Sequence, residues 1–345
     1  MIPYVLFILV VLLAYRLKKP VLMAFVITVF SVIRFDTGWD YDSYYQVCID
    51  PNSLDTAKII WGGIWAKWFE YVYQHQIPFI GIGVPAVLTT IAVYLSFKLL
   101  YEKDKKGLSD AMLIYSIWPF LYLYSFCTVR QSLAMGVMML AFVCVYRKKY
   151  KYAIILYLLN YFVHPSSLFT AVFLFFVLPK KRLSATYVFL GSIALVVSFK
   201  FAAIVLESLG MMGYLNLLES SDNFGGKISF VYAAMAIYYI YFLSVNKDID
   251  SIFSKMSSLA AIGCVLQFLV YVTDVPSVIS RACSYTYMFL APTIFYSIKQ
   301  LNIKGGKQLA IGIIAAFFLV YLFITQDSPG AASQYVPYKT IFSQL

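Results

Sequence analysis

Charge is what this chain has least of: 12% of its 345 residues are Asp, Glu, Lys or Arg, about half the share of an ordinary soluble domain. A folded body of that size needs more charge to cover a water-facing surface, so a soluble domain is excluded. Histidine is scarcer still, with only His75 and His164. The five cysteines, Cys48, Cys127, Cys144, Cys264 and Cys283, are odd in number, lack metal-ligand spacing and lie mostly inside apolar runs. A metal centre or disulfide framework has no basis in that pattern, and the cysteines read as small apolar core residues. Internal repeats are missing too.

What is present is apolar: 62% of residues are hydrophobic and 19% aromatic. The runs Ile2–Tyr15, Val21–Ile33, Ile80–Leu100, Ala111–Phe126 and Leu309–Thr325 approach or reach the roughly 20 residues a helix needs to cross a bilayer core. They recur along the whole chain. The expected fold is therefore an all-α, polytopic integral membrane protein of about 12 transmembrane helices, forming one transmembrane domain over residues 1–345. The first run is no signal peptide, because Arg16, Lys18 and Lys19 follow its apolar stretch instead of preceding it.

A formal charge of +11 invites a nucleic-acid partner, but the basic residues sit in short clusters between apolar runs. These clusters are Arg16/Lys18/Lys19, Lys98/Lys103/Lys105/Lys106, Arg147/Lys148/Lys149/Lys151, Lys180/Lys181/Arg182, Lys247/Lys255 and Lys299/Lys304/Lys307. That distribution is a topology signal: the clusters belong in the cytoplasm and both termini outside. One segment resists. Tyr152–Leu178 lies between two basic clusters, so it must go out and return, and Pro165 supplies the break because proline cannot continue the helical ladder. His164 then stands at the outer turn. A single long tilted helix is the alternative and would reverse everything downstream. The outer connections collect most of the acids, namely Asp36, Asp40, Asp42, Asp50, Asp55, Glu70, Glu207, Glu219, Asp222, Asp274 and Asp327.

Candidate chemistry gathers on that side. Residues Arg34 to Tyr45 pack an arginine, Asp36, Asp40 and Asp42 and several aromatic rings into one membrane-edge turn. This suits either an interfacial aromatic belt or a sugar grip, in which acids accept from hydroxyls and rings cover the apolar sugar face. Asp40-Tyr41-Asp42 also fits the very short Asp-x-Asp pattern of metal-dependent glycosyltransferases. Trp61, Trp65, Trp68 and Val72 share a helical face opposite Gly63, Lys67, Glu70 and Gln74, as in an amphipathic helix lying in the interface. Arg130 must sit at or just below the headgroups, where a guanidinium needs an anion or a polar partner. Arg281 has the same placement. Three guanidiniums, Arg34, Arg130 and Arg281, suit bidentate bonding to a diphosphate. His164, beside Pro165, Ser166 and Ser167, can exchange a proton near neutrality.

Taken in order, Arg34…Gly38-x-Asp40-Tyr41-x-x-Tyr44, then Val129-Arg130-Gln131-Ser132-Leu133-Ala134, then a basic cluster, then Phe162-x-His164-x-Ser166-x-Leu168 resembles the EpsG-like branch of Wzy-type bacterial polysaccharide polymerases. The match covers roughly residues 1–180, with weaker similarity around Arg281 and Pro292; Pro165 departs from the small or polar residue common in the family. The resemblance implies a GT-C-like, metal-independent glycosyltransferase of the bacterial inner membrane, its active site facing the periplasm. Such an enzyme joins undecaprenyl-diphosphate-linked oligosaccharide repeat units, as for O-antigen, lipopolysaccharide or capsule, releasing undecaprenyl diphosphate. Its partners would be that lipid-linked oligosaccharide, the lipid bilayer, a flippase and a chain-length regulator; no nucleic acid is implied. The site expected from it has Asp40, His164 and Arg130 as catalytic residues, with Arg34, Tyr41, Tyr44, Gln131 and Arg281 binding substrate. No cofactor is implied.

A flippase for the same lipid-linked oligosaccharide is the leading non-enzyme alternative, but two similar halves and charges along a central cavity would be expected of it. An O-antigen ligase would normally carry a large outer loop, whereas the largest here comes early, between the second and third spans. A membrane acyltransferase would need a His-Asp or Arg-x-x-x-His cluster near the start.

Overall fold

The computed structural model describes residues 1–175, 181–208, 228–273, 277–325 and 335–344. The chain is an all-α polytopic membrane protein. Five helices among the described residues are long and apolar enough to cross a bilayer: Pro78–Tyr101, Val129–Tyr146, Ile228–Val245, Ile252–Thr273 and Gly306–Ile324. Ile2–Arg16, Pro20–Val32 and Ala185–Ser198 are shorter apolar helices. The chain forms two compact units, one of Met1–Ser167 with Gly305–Leu345 and one of Leu168–Lys304.

In the first unit the helices are α1 (Ile2–Arg16), α2 (Pro20–Val32), α3 (Tyr41–Ile49), α4 (Pro51–Trp61), α5 (Gly63–Gln74), α6 (Pro78–Tyr101), α7 (Lys105–Ile117), α8 (Tyr124–Cys127), α9 (Val129–Tyr146) and α10 (Tyr150–Val163), followed later by the Gly306–Thr325 helix. Pro20, Pro51 and Pro78 each open a helix, where a missing N–H costs nothing and φ is already helical. Tight C-terminal turns close them. Lys19 N donates to Ala14 O and Lys149 N to Cys144 O, each wrapped around a left-handed residue, Lys18 and Lys148, which satisfies the last carbonyls without glycine.

Two expected elements are interrupted. The Ala111–Phe126 run is broken, α7 stopping at Ile117 and a turn over Trp118–Leu123 leading into α8; Pro119 forbids continuation. The tryptophan-rich amphipathic helix is two helices, because Gly62 and Gly63 take φ of 55° and 49°, a left-handed backbone that glycine adopts at least cost. Trp61 ends α4, while α5 buries Trp65, Phe69 and Val72 and exposes Lys67 and Gln74. By contrast, α10 ends where expected, at Val163, with His164 extended and Pro165–Thr170 in a 3-10 turn.

The basic clusters of this unit gather at one end of its helices. Tyr15 donates to Asp110 (3.0 Å), and Lys307 bonds both Asp110 oxygens at 2.6 Å, joining the end of α1 to the starts of α7 and the Gly306–Thr325 helix. Arg147 caps the last carbonyls of α6, through Leu99 (3.1 Å) and Leu100 (2.7 Å), and pairs with Glu102. The other end of the same helices carries Arg34, α3 to α5, the start of α9 and the end of α10. All five cysteines are free and buried.

The described helices of the second unit are Ala171–Phe175, Ala185–Ser208, Ile228–Val245, Ile252–Thr273, Ser277–Tyr287 and Leu290–Gln300. Ile252–Thr273 is its centre, with Ile228–Val245 and Ser277–Tyr287 packed along it. A Cβ on Gly263 would overlap Thr286, so a small residue permits this close crossing. Arg182 bonds the carbonyls of Leu243 (2.6 Å) and Asn246 (2.9 Å), and Tyr239 and Thr293 share a hydroxyl bond at 2.7 Å. The expected outer acids Glu219, Asp222, Asp274 and Asp327 lie outside the described residues, as does the side chain of Glu207.

Candidate active site

The turn after α2 is held tightly. Gly38, at φ 98°, brings its backbone so close to α8 that a Cβ there would collide with the Phe126 carbonyl. Thr37 is buried and donates to Phe35 O at 2.8 Å. These contacts fold Arg34 inward: the residue is 2% exposed and its guanidinium stands 4.3 Å over the Phe126 ring. Nε, Nη1 and Nη2 have no hydrogen-bond partner among the described residues. Burial lowers the Arg34 pKa, against the opposing pull of Cys127 and the phenols of Tyr122, Tyr41 and Tyr338. A buried, unpaired guanidinium is costly, and a ring face is weak compensation compared with an anion. The membrane-edge turn expected after the second apolar run thus carries its arginine folded inward.

Asp40 precedes α3 and is half-buried, with Asp42 exposed in the first turn of the helix, where it accepts from Gln46. Tyr41 and Tyr44 are buried, 3% and 4% exposed, in a core shared with Trp65, Phe69, Val129 and Leu133. Burial pushes the Tyr41 phenol up to about 12, so at neutral pH it remains a hydrogen-bond donor. Burial also raises the Tyr44 phenol, with Arg130 pulling the other way.

Arg130 occupies the first turn of α9. Its Nε donates to the Tyr44 hydroxyl at 3.1 Å, and its guanidinium lies 4.3 Å over the Trp61 ring. Tyr44 in turn packs on Trp61, with centroids 5.0 Å apart. A ring below and a hydroxyl at one edge fix the plane of the fork. The first-turn amides of α9 add a positive dipole end beside it. Gln131, next in the same turn, is buried.

The α9–α10 hairpin brings His164 to the same end. Asn160, fully buried, donates to Ala134 O at 3.0 Å; four residues onward along α10 and four back along α9 lie His164 and Arg130. Trp65 Nε1 donates to Val163 O at 2.7 Å, tying α5 to this helix end. The His164 Nδ1 is 2.7 Å from Ser166 Oγ, so the serine after Pro165 orients the ring.

Arg34, Asp40, Tyr41, Tyr44, Arg130, Gln131 and His164 thus share one end of the first unit. Arg281 falls on the Ser277–Tyr287 helix of the second unit, and its side chain lies outside those described. Sequence reasoning missed Tyr335 and Tyr338, which reach this end from the far terminus. Tyr4 donates to Tyr335 O at 2.5 Å, Tyr335 Oη meets Cys127 Sγ at 2.8 Å, and Tyr338 stacks on Phe30 with centroids 4.1 Å apart. No local signal marks them beyond their aromatic type.

The first unit is a helical membrane bundle with basic residues at one end and buried or stacked arginines among aromatic rings at the other. The chain belongs to the EpsG family, a Wzy-like polysaccharide polymerase family whose sequence model matches residues 19–340, essentially the whole chain. No curated protein and no solved structure matches it significantly.

Proposed function

We propose that this chain is a membrane glycosyltransferase that polymerises oligosaccharide repeat units carried on undecaprenyl diphosphate, working at the outer face of the bacterial inner membrane. The observation that carries the reading is the Arg130 fork, stacked on Trp61 and bonded to Tyr44, at the end of the bundle opposite the basic clusters. The positive-inside rule turns the basic end to the cytoplasm and the site outward.

In the proposed reaction an acceptor hydroxyl of one lipid-linked unit attacks the anomeric carbon of the growing chain. The new glycosidic C–O bond forms as the bond from that carbon to the diphosphate oxygen breaks, and the lipid diphosphate leaves with the electron pair. Negative charge therefore develops on the diphosphate, where Arg130 stabilises it, with Arg34 as a second cation on the same end. Asp40 or His164 accepts the hydroxyl proton. Tyr41 and Tyr44 hold the turn and the Arg130 plane, and Arg281 is assigned to substrate binding on the family resemblance alone.

Purified protein supplied with lipid-linked repeat unit tests this: the reading expects a ladder of longer glycans with stoichiometric release of lipid diphosphate. Transfer of intact lipid-linked units across vesicles with no elongation would replace it with the flippase reading.

A further inference from the structure

Residues 335–344 are laid over the Arg34 turn. Lys339–Thr340 pairs antiparallel with Arg34–Phe35, with Arg34 opposite Thr340 and Phe35 opposite Lys339. Ile341 N extends the contact to Ile33 O at 2.9 Å, Lys339 pairs with Asp36, and Tyr338 donates to Phe30 O. Beneath lies the buried Arg34 guanidinium, whose three nitrogens have no hydrogen-bond partner among the described residues.

The walls around Arg34 differ in how firmly they are held. Phe30, Tyr122 and Phe126 stand on or beside helices α2, α7 and α8, each anchored by its own backbone ladder and by ring packing. Residues 335–344 have no α-helical ladder: a two-residue β pairing, marginal by itself, the Ile341 and Tyr338 bonds to the end of α2, the buried Tyr335 and the Tyr338–Phe30 stack hold them, with an ion pair whose side chains are about half exposed and worth little in water. Their Phe342 is exposed. Nothing as large as a diphosphate reaches an arginine that is 2% exposed unless one wall moves, and this is the wall that can move without unwinding an α-helix.

We propose that residues 335–344 form a strap that closes over Arg34 and lifts to admit the anionic head of the substrate. The inference rests on the polymerase reading, because that reading supplies the anion. Closing the strap strips water from Arg34 and strengthens its field on whatever it binds; opening it is the step that lets lipid-linked substrate in and product diphosphate out.

The test uses the full chain in lipid nanodiscs carrying Phe35→Cys and Lys339→Cys, directly opposed positions whose Cα spacing in an antiparallel pair suits a disulfide. Two readouts are taken, hydrogen exchange of the 335–344 peptide and elongation of a lipid-linked repeat unit. The strap predicts that in the reduced protein the 335–344 amides exchange at least tenfold faster than those of α9. Oxidation should slow them at least tenfold and cut elongation at least tenfold, both reversed by reductant. Equal elongation in the oxidised and reduced forms overturns it, as does exchange as slow as that of α9. If the double substitution itself inactivates, Lys339→Glu, which sets like charges against Asp36, must still speed exchange of 335–344; unchanged exchange overturns the proposal. If the unsubstituted protein elongates nothing, the polymerase reading fails, while the exchange measurements still decide the strap.

Discussion

The guanidinium of Arg130 lies 4.3 Å over the indole of Trp61, so the last residue of α4 sets the plane of a cation that begins α9. Trp61→Leu removes the ring while keeping the helix and the charge. A cation–π contact of this kind is worth about 0.5–2 kcal/mol, so elongation should fall by roughly 2- to 30-fold with little change in thermal stability. Steady-state rates set beside an unfolding curve check this; an equal loss in stability would make Trp61 a packing residue only.

Gly38 sets how closely the Arg34 turn meets α8. Gly38→Ala places a methyl against the Phe126 carbonyl at a positive φ, and a strained backbone of this sort costs on the order of 1–3 kcal/mol. Activity should be lost together with several degrees of melting temperature. A fully stable, active Gly38→Ala protein would show that the turn is not held as described.

Asn160 fixes the register of α10 on α9. Asn160→Leu removes the bond to Ala134 O, and hydrogen bonds between membrane helices average about 0.6 kcal/mol, so the fold should survive. His164 moves with the register, so elongation should drop more than stability does, by roughly tenfold. Comparing the variant with Asn160→Gln, which keeps an amide donor, separates register from packing.

The base is assigned by the pH dependence of elongation. A base must be deprotonated to accept the acceptor proton, so rates fall on acidification through its titration. If His164 serves, His164→Gln removes that acid limb and Asp40→Asn leaves it; if Asp40 serves, the pattern reverses. An acid limb surviving both substitutions would remove both from this role.

Much of this was open to a reader of the sequence, and the divide is physical. The apolar runs and the basic clusters are local patterns, so the helices and the sorting of charge to one end of the first unit follow from them. The helix break at His164 is likewise local, since Pro165 dictates it. The stop at Ile117 is legible as well, because Pro119 stands inside the apolar run Ala111–Phe126. The kink at Gly62–Gly63 was harder: two glycines are tolerated in a helix, and only the packing of α5 against α3 and α6 turns them into a corner. The burial of Arg34 and the arrival of Tyr335 and Tyr338 were out of reach, because Lys339 and Phe35 are joined by a two-residue ladder across nearly the whole chain and no periodicity encodes it.

Orientation in the bilayer is tested with single cysteines at exposed positions on opposite ends, Asp42→Cys beside the site and Lys105→Cys among the basic clusters. A membrane-impermeant maleimide added to intact spheroplasts should label position 42 and spare position 105. The reverse pattern would turn the site to the cytoplasm and remove the outward-facing reaction.

The central claim is that Arg130 carries the charge that lets the lipid diphosphate leave. Its most direct measurement is elongation of purified lipid-linked repeat unit by Arg130→Ala and Arg130→Lys proteins that retain the parent melting temperature. The account predicts a loss of about 100-fold or more for alanine, the scale for removing one transition-state electrostatic contact, with only partial recovery by lysine, which keeps the charge but not the stacked fork. Glycan chains of parental length and rate from Arg130→Ala would contradict it.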